Sequence, residues 1–319
     1  MDEPANAPKR PHVPKGPNVP RTADDPAQDF EAHRRHLVGL AYRMLGSVAE
    51  AEDAVQDAYL RWHGADRAGV ANVRAFLSRT VARLCLDRLR AARARRETYV
   101  GPWLPEPLLG AEELSAGTAS EYAADLSVGL MLALERLSPL ERAAFLLHDV
   151  FDVDFSEVAG LLGRSEEACR QLAARARTHV RTARPRFPVA AEHGSRLVAA
   201  FAEAVQRGDP DGLARLLAAD AVLHSDGGGR RTAALNPIVG ADRIARFFAG
   251  IATKFPGVIA TSRGATLNGL PGLIITDADG LPQTMAFEIV DGAIAAIYFV
   301  RNPDKLGHLA PRRRPGAPP

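Results

Sequence analysis

Apolar positions recur at helical spacing over most of the first 185 or so residues, and the pattern changes character afterwards. Phe30, Leu37, Leu40, Ala41, Met44 and Leu45 line one helix, which Gly46 and Ser47 stop. The next, over about 49–63, turns Val55, Tyr59 and Trp62 inward and leaves Glu50, Asp53 and Asp57 on the other side. A third, over about 73–96, buries Phe76, Leu77, Val81, Leu84, Leu86 and Leu89. Helices resume over about 125–181, where Met131, Leu132, Leu134, Leu137, Leu140, Phe145, Leu146 and Leu147 supply apolar support. Within that stretch Phe155, Val158, Ala159, Leu161 and Leu162 mark a short helix ended by Gly163, and Ser165 caps a second with Glu166 and Glu167 in its first turn. The second helix exposes Arg164, Glu166, Glu167, Arg170, Gln171, Arg175 and Arg177, a mixture of base-reading and phosphate-neutralising side chains. Two such helices about a tight turn suit a DNA major groove; the competing reading is a solvated helical hairpin.

Past about residue 194, amphipathic helices are expected over 197–205, 213–217 and 241–255, and strands over 222–224, 273–275, 285–290 and 293–300. Asp291-Gly292 is a hairpin signal between the last two strands. Helices followed by an antiparallel sheet indicate an α+β domain. Between 98 and 121 the helical period lapses among Gly101, Pro102, Pro105, Pro107, Gly110 and Gly117, so this stretch reads as a linker. Trp103 lies between prolines there, where a free linker would waste its apolar surface, and a docking segment is expected. Residues 1–25 and 310–319 are rich in proline and charge and are expected to be disordered. The resulting division is 26–97, 98–121, 122–186 and 194–309.

Length, 319 residues, favours two or three compact units. The net charge of +2 hides a segregated cluster, Arg74, Arg79, Arg83, Arg88, Arg90, Arg93, Arg95 and Arg96, whose mutual repulsion favours an anionic partner over a merely solvated face. Cys85 and Cys169 sit in apolar helical patterns, which argues against a disulfide framework or a cysteine metal site. No apolar run approaches the roughly 20 residues of a membrane span, and the N-terminus lacks a signal-peptide core, so a cytoplasmic protein is expected.

Three segments carry a family resemblance: Ala51-Glu52-Asp53-Ala54-Val55-Gln56-Asp57-Ala58-Tyr59-Leu60, Leu84-Cys85-Leu86-Asp87-Arg88-Leu89-Arg90, and Leu137-Ser138-Pro139-Leu140-Glu141-Arg142. With the helix-turn-helix ending in Gly163-Arg164-Ser165-Glu166-Glu167-Ala168-Cys169-Arg170-Gln171-Leu172, they resemble the extracytoplasmic-function (group IV) branch of the bacterial sigma-70 family. The C-terminal part resembles a SnoaL-like domain, and a subfamily joins both in one chain. Its marks are Trp103-Leu104-Pro105-Glu106-Pro107, Asp226-Gly227-Gly228-Gly229-Arg230 and Asn302-Pro303-Asp304-Lys305-Leu306. Arg230 replaces the usual lysine, and Asp152 stands where many relatives have glycine.

The resemblance implies two all-α domains, sigma region two and sigma region four, followed by an α+β cone-shaped barrel. It implies promoter DNA and core RNA polymerase as partners, the latter through the clamp helices of the largest subunit and the flap of the second-largest. Asp53, Gln56 and Asp57 would meet the polymerase, unless they are an ordinary solvated acidic face. Arg67, Asn72, Arg74 and Arg79 would hold flipped bases of the minus-ten element, with Arg83, Asp87, Arg88, Arg90 and Arg93 on the duplex upstream. Arg164, Ser165, Glu167, Arg170, Gln171, Arg175 and Arg177 would read the minus-thirty-five element. The linker motif, the 226–230 loop and the 302–306 segment would meet one another and set the distance between the two regions. His224 and Asp226 are a candidate acid–base pair in a pocket, without an evident second carboxylate partner. No cofactor or metal is expected; an unidentified hydrophobic small molecule is a candidate ligand of the cone. The rival readings are a DNA-binding regulator acting without polymerase and an enzyme fused to a DNA-binding module.

Overall fold

A computed structural model describes residues 26–67, 69–70, 72–96, 99–109, 125–182, 191–255, 261–277 and 279–309, the side chains at 92–96, 182 and 191 excepted. The two expected disordered termini, the second half of the linker, Pro185 and Pro188 lie outside the described residues.

Four helices open the fold: α1 (Pro26–Glu31), α2 (Arg34–Leu45), α3 (Val48–His63) and α4 (Val73–Arg96). Ser47 accepts from the Glu50 amide at 3.1 Å, capping α3 where the sequence places a boundary. The second group is α5 (Val128–Glu135), α6 (Pro139–Phe145), a π-helical turn over Leu146–Val150, α7 (Phe155–Leu162) and α8 (Glu166–Thr182). Ser138 and Glu141 form a reciprocal capping box at the start of α6. The two groups share a continuous apolar core, running from Phe30, Leu40 and Trp62 through Leu77 and Val81 to Phe145, Leu147 and Val180.

Leu104 to Leu108 of the linker run extended beneath this helical body, against the third unit. That unit comprises α9 (Ala191–Arg207), α10 (Pro210–Leu216), β1 (Leu217–Asp226), β2 (Ile238–Val239), α11 (Ala241–Lys254), β3 (Ser262–Leu267), β4 (Leu270–Thr276), β5 (Pro282–Val290) and β6 (Ala293–Val300). Its sheet has the order β2-β1-β6-β5-β4-β3.

Two expectations need correction. The sheet is open, with β2 and β3 as edges, and not a closed barrel. It is also mixed, because β1 pairs with β6 in parallel, as the two are distant in sequence and joined by a long crossover. The Asp291-Gly292 turn is as expected, with both residues at positive φ (50° and 80°) between paired Val290 and Ala293. Strands β2 and β3 were not anticipated. One face of the sheet packs on its own helices through Phe201, Phe248, Phe287 and Phe299. The other carries Ile274, Ala286, Ala296, Tyr298 and Val300, and meets Leu104 of the linker and Val128 of α5.

Candidate nucleic-acid interface and interdomain clasp

The hairpin of α7 and α8 is built as its sequence implies. Gly163 takes φ 62° at the end of α7, and Ser165 Oγ accepts from the Ala168 amide at 3.2 Å at the start of α8. A stripe of small residues, Cys169, Ala173, Ala176 and Val180, faces inward, so α8 lies close to the body and presents its opposite side to solvent. Arg164, Ser165, Glu167, Arg170, Gln171 and Arg175 are all exposed there. Arg170 pairs with Glu166 at 2.7 Å and lies 5.4 Å over the Phe155 ring, contacts within the hairpin that leave it at the surface. Arg177 is turned toward the body, where its Nε donates to Asp149 at 2.6 Å.

The arginine helix α4 presents a different picture. Asn72 caps it, accepting from the Ala75 amide at 3.0 Å. Arg74 contacts His36 Nδ1 at 3.3 Å, and Arg67 lies 5.9 Å over the Trp62 ring. Arg88 donates to the Glu50 carbonyl at 2.8 Å and to Asp57 at 2.7 Å, which joins one candidate DNA residue to one candidate polymerase residue. Asp87 and Arg90 pair at the surface, 3.4 Å apart; the side chain of Arg93 is outside the described residues. On α3, Asp53 and Gln56 are exposed beside Leu60, which is 61% exposed. Arg79 reaches across to Glu157 of α7 at 3.5 Å. Below that pair is a cleft of about 540 Å³ lined by Arg61, Phe76, Arg83, Ser156, Gly160 and Leu161. Phe76 is only half buried, against Trp62, where the sequence pattern placed it in the core.

At the centre of the helical body two arginines are buried. Arg142 donates through Nε to the Arg43 carbonyl at 2.8 Å and pairs with Glu135, so α6 is fastened to the C-terminal end of α2. Arg43 lies 5.6 Å over the Phe151 ring, and burial holds its guanidinium down at about 10. Neither residue was singled out from the sequence as an interface anchor, although Arg142 ends one of the resemblance segments. Cys85 is buried nearby with its thiol pushed up to about 12 by burial, an inert thiol.

The three remaining motifs converge. Asp226 is wholly buried and accepts from Tyr99 Oη at 2.6 Å, the Leu104 amide at 2.9 Å and Lys305 Nζ at 2.7 Å. Lys305 also donates to the Leu104 carbonyl and lies 4.2 Å over the Trp103 ring and 4.9 Å over that of Tyr99. The buried charge is thus paired, and both partners carry further hydrogen bonds, the condition under which burial is tolerable. Asn302 donates to Tyr99 Oη at 2.9 Å, and Arg230 and Asp304 approach to 3.3 Å at the rim. Gly228 adopts φ 56°, and a Cβ there would collide with the Asn302 amide. Pro303 opens the short helical turn that carries Lys305, and Leu306 is buried. Gly227 closes the tight turn over which Arg230 and Arg231 donate to its carbonyl, and Gly229 lies against Val100.

The other end of the linker motif is held by the first helical group. Glu106 accepts from Ser47 Oγ at 2.8 Å and from the Val48 amide at 2.6 Å, adding a carboxylate to the N-terminus of α3. Its own amide donates to the Gly46 carbonyl at 2.9 Å, and Tyr42 Oη donates to its carbonyl at 2.7 Å. Gly46 allows the Trp103 indole to lie against the chain, where a Cβ would clash with the ring. His308 contacts the Pro107 carbonyl at 2.7 Å. Pro105 and Pro107 press on the sheet beside Thr284 and Tyr298, where the space left is about 10 Å³.

His224 and Asp226, the candidate acid–base pair, are placed by strand parity. Both lie on the sheet face turned away from the unit's own helices, whereas Ala221 and Leu223 point toward them. The Asp226 carboxylate is occupied by the linker, and the His224 ring stacks on Tyr298 at 5.6 Å. Burial, and then Arg136, hold the His224 imidazole below its ordinary range. Tyr298 donates to Glu288 at 2.5 Å, and burial raises that carboxyl. Sequence reading also missed Tyr99, Tyr42 and Asn268.

Comparison with known proteins agrees with this arrangement. Models of sigma-70 region 2, sigma-70 region 4 and a SnoaL-like domain match residues 30–95, 127–180 and 198–297. The ECF RNA polymerase sigma factor SigJ of Mycobacterium tuberculosis is 41% identical over 293 residues, 87% of this chain and 92% of that protein. This chain belongs to the extracytoplasmic-function sigma factors. The probable ECF RNA polymerase sigma factor SigI of the same species is 30% identical over 287 residues, 88% of this chain and 94% of its own. A crystal structure of SigJ superposes with a TM-score of 0.71 at 38% identity, covering 88% of this chain and 98% of that one.

In this sigma factor the first resemblance segment lies on α3, the second on α4, and the third forms the Ser138–Glu141 capping box and Arg142. Asp152 has φ 57°, a left-handed conformation that glycine adopts without strain. Arg230 keeps the cationic partner of Asp304 that a lysine would supply. Among the described residues no helix is long and apolar enough to cross a membrane.

Proposed function

We propose that this extracytoplasmic-function sigma factor directs core RNA polymerase to its promoters and that its SnoaL-like domain acts as a built-in regulator, holding the two DNA-binding regions at a fixed spacing. The observation that carries the reading is the linker clasp: Asp226 and Lys305 grip Tyr99, Trp103 and Leu104, while Glu106 caps α3 three residues on from Trp103. A linker so held cannot lengthen, and α4 stays against α7.

In this closed form α8 is free to approach a major groove, with Arg164, Ser165, Glu167, Arg170, Gln171 and Arg175 as the minus-thirty-five contacts and Arg177 nearest the body. The minus-ten contacts, Arg67, Asn72, Arg74, Arg79, Arg83, Asp87, Arg88, Arg90 and Arg93, are to be brought into use when polymerase draws the regions apart. Asp53, Gln56 and Asp57, with exposed Leu60, are the docking face for the clamp helices of the largest subunit, and the second helical group meets the flap of the second-largest. Such a protein works where chromosome and polymerase are, in the cytoplasm. We read the chain as a non-enzyme: the one buried carboxylate at the candidate pair is already saturated by its three donors.

The test is run-off transcription with core polymerase, comparing the full chain with chains ended near Pro188 or Pro311. Start-site-specific transcripts from the full chain, altered in amount by truncation at Pro188, are expected. No specific transcript in any arm, with no co-elution with polymerase, would overturn the assignment.

A further inference from the structure

Asn268 lies in the turn between β3 and β4, outside every motif that marks the subfamily, and is 1% exposed. Its side chain touches every other unit. The carboxamide nitrogen donates to Tyr42 Oη on α2 at 2.8 Å and to the Leu126 carbonyl, at the entry to α5, at 3.0 Å. The carboxamide oxygen accepts from the Leu108 amide of the linker at 3.0 Å. The Asn268 backbone amide donates to the Leu108 carbonyl at 2.9 Å, so the linker is held as a short added strand, which continues in the pairing of Leu109 with Leu267. Tyr42 passes the connection on, donating to the Glu106 carbonyl.

We infer that Asn268 is the positioning residue that makes closure of this sigma factor all-or-none. The inference rests on the closed-state reading above and deepens it. The clasp at Asp226 joins only the regulatory domain to the linker. Asn268 satisfies its two donors and its acceptor only when α2, the linker and the entry to α5 are all seated on the sheet. Withdrawal of any one leaves a buried amide or hydroxyl without its partner, so the first departure weakens the remaining contacts. A carboxamide is required: aspartate has the same shape and no donor for Tyr42 or Leu126.

Asn268 has φ 51°, so its replacement could act merely by straining the turn. Asn268→Gly removes that ambiguity, because glycine keeps the left-handed backbone and deletes only the carboxamide. The experiment places spin labels at Glu52→Cys on α3 and Ala174→Cys on α8, both exposed, in the full chain; the native Cys85 and Cys169 are buried. Distance distributions are then recorded for the labelled parent, Asn268→Gly, Tyr42→Phe, their combination, and Asp226→Asn.

Asn268→Gly is expected to raise the ratio of long to short distances by about 10- to 100-fold, as each buried partner left unmatched is worth roughly a decade. The combined variant is expected to fall short of the product of the two single effects, since both break one shared bond. A parent-like distribution for Asn268→Gly, or single effects that multiply in full, overturns the inference. If Asp226→Asn lengthens the distance and Asn268→Gly does not, the role of Asn268 alone is lost; if neither does, the closed-state reading itself fails.

Discussion

The two arginine-bearing helices of this sigma factor, α8 and α4, differ less in composition than in what already occupies them. On α8 Arg170 and Arg175 stand in solvent, with Arg170 held by Glu166 and Phe155 of its own hairpin, while Arg177 is turned to the body, onto Asp149. On α4 the arginines are engaged by other parts of the chain: Arg74 by His36, Arg79 by Glu157, Arg88 by Asp57 and the Glu50 carbonyl. A DNA phosphate approaching α4 must displace protein acceptors, while one approaching α8 displaces mainly water and counterions. The difference teaches that the regulation proposed above would act at region two. Of these contacts only Arg79–Glu157 joins the two regions; under the proposed function, closure therefore adds a carboxylate to the proposed minus-ten surface and leaves the proposed minus-thirty-five surface open.

The strongest way to break the comparison is to destroy the clasp. Asp226→Ala strands the Lys305 ammonium and the Tyr99 hydroxyl in a buried site, and is expected to cost the closed form about 3–5 kcal/mol. Emission from Trp103, released from the ammonium above its ring, should shift, and protease should cut the linker; an unchanged spectrum and digestion pattern would remove the clasp as the holding element. Next in size, Arg170→Ala should cost about 1–3 kcal/mol of base discrimination at the minus-thirty-five element, measured with free protein and duplex variants, whereas Arg79→Ala should matter only once polymerase is present. Equal losses for both in free protein would erase the asymmetry.

A pH effect sharpens it further. Because burial and Arg136 depress the His224 imidazole, its contribution to docking of the sheet is whole above pH 6.5 and is lost as pH falls through the lower folded value. Tyr298, Glu288 and Asp125 face the same site, and the raised Glu288 carboxyl works in the opposite sense, adding stability as pH falls through its own folded value and reaching its full contribution below its unfolded one. Thermal melts between about pH 7.5 and 5.5 should show a loss in the parent that His224→Gln lacks. The smallest effect is expected from Glu157→Gln. This ion pair is about two-fifths exposed on both sides, so freeing Arg79 should improve minus-ten binding by no more than about 1 kcal/mol, and less as salt rises.

Much of the helical half was legible because its signals are local. The Gly163 turn, the Ser165 cap and the boundary at Ser47 each rest on one residue doing one job within a few positions of itself. Trp103 was legible as a docking residue because prolines flanked an apolar surface that needed a cover. Asn268-Gly269 was an equally local hairpin signal, with φ 51° and 75°, and would have located β3 had it been weighed with Asp291-Gly292. What could not be read was which side of the sheet met which neighbour. Alternation places His224 and Asp226 together on one face, but a single strand does not disclose whether that face covers its own helices or another domain. The buried pair Arg43 and Arg142 was hidden for a related reason: arginine is a surface residue by habit, and only the meeting of two helical groups puts it inside.

The parallel pairing of β1 with β6 puts Asp226 directly beside Val300, so the two strands deliver their following segments to the same corner of the molecule. The jaws of the clasp, Asp226 at the end of β1 and Lys305 on the short turn that follows β6, are therefore rooted in two neighbouring strand ends. With both roots fixed by the sheet, release under the proposed function is expected to come from the tyrosine and tryptophan leaving as a plug leaves a socket, with the socket intact.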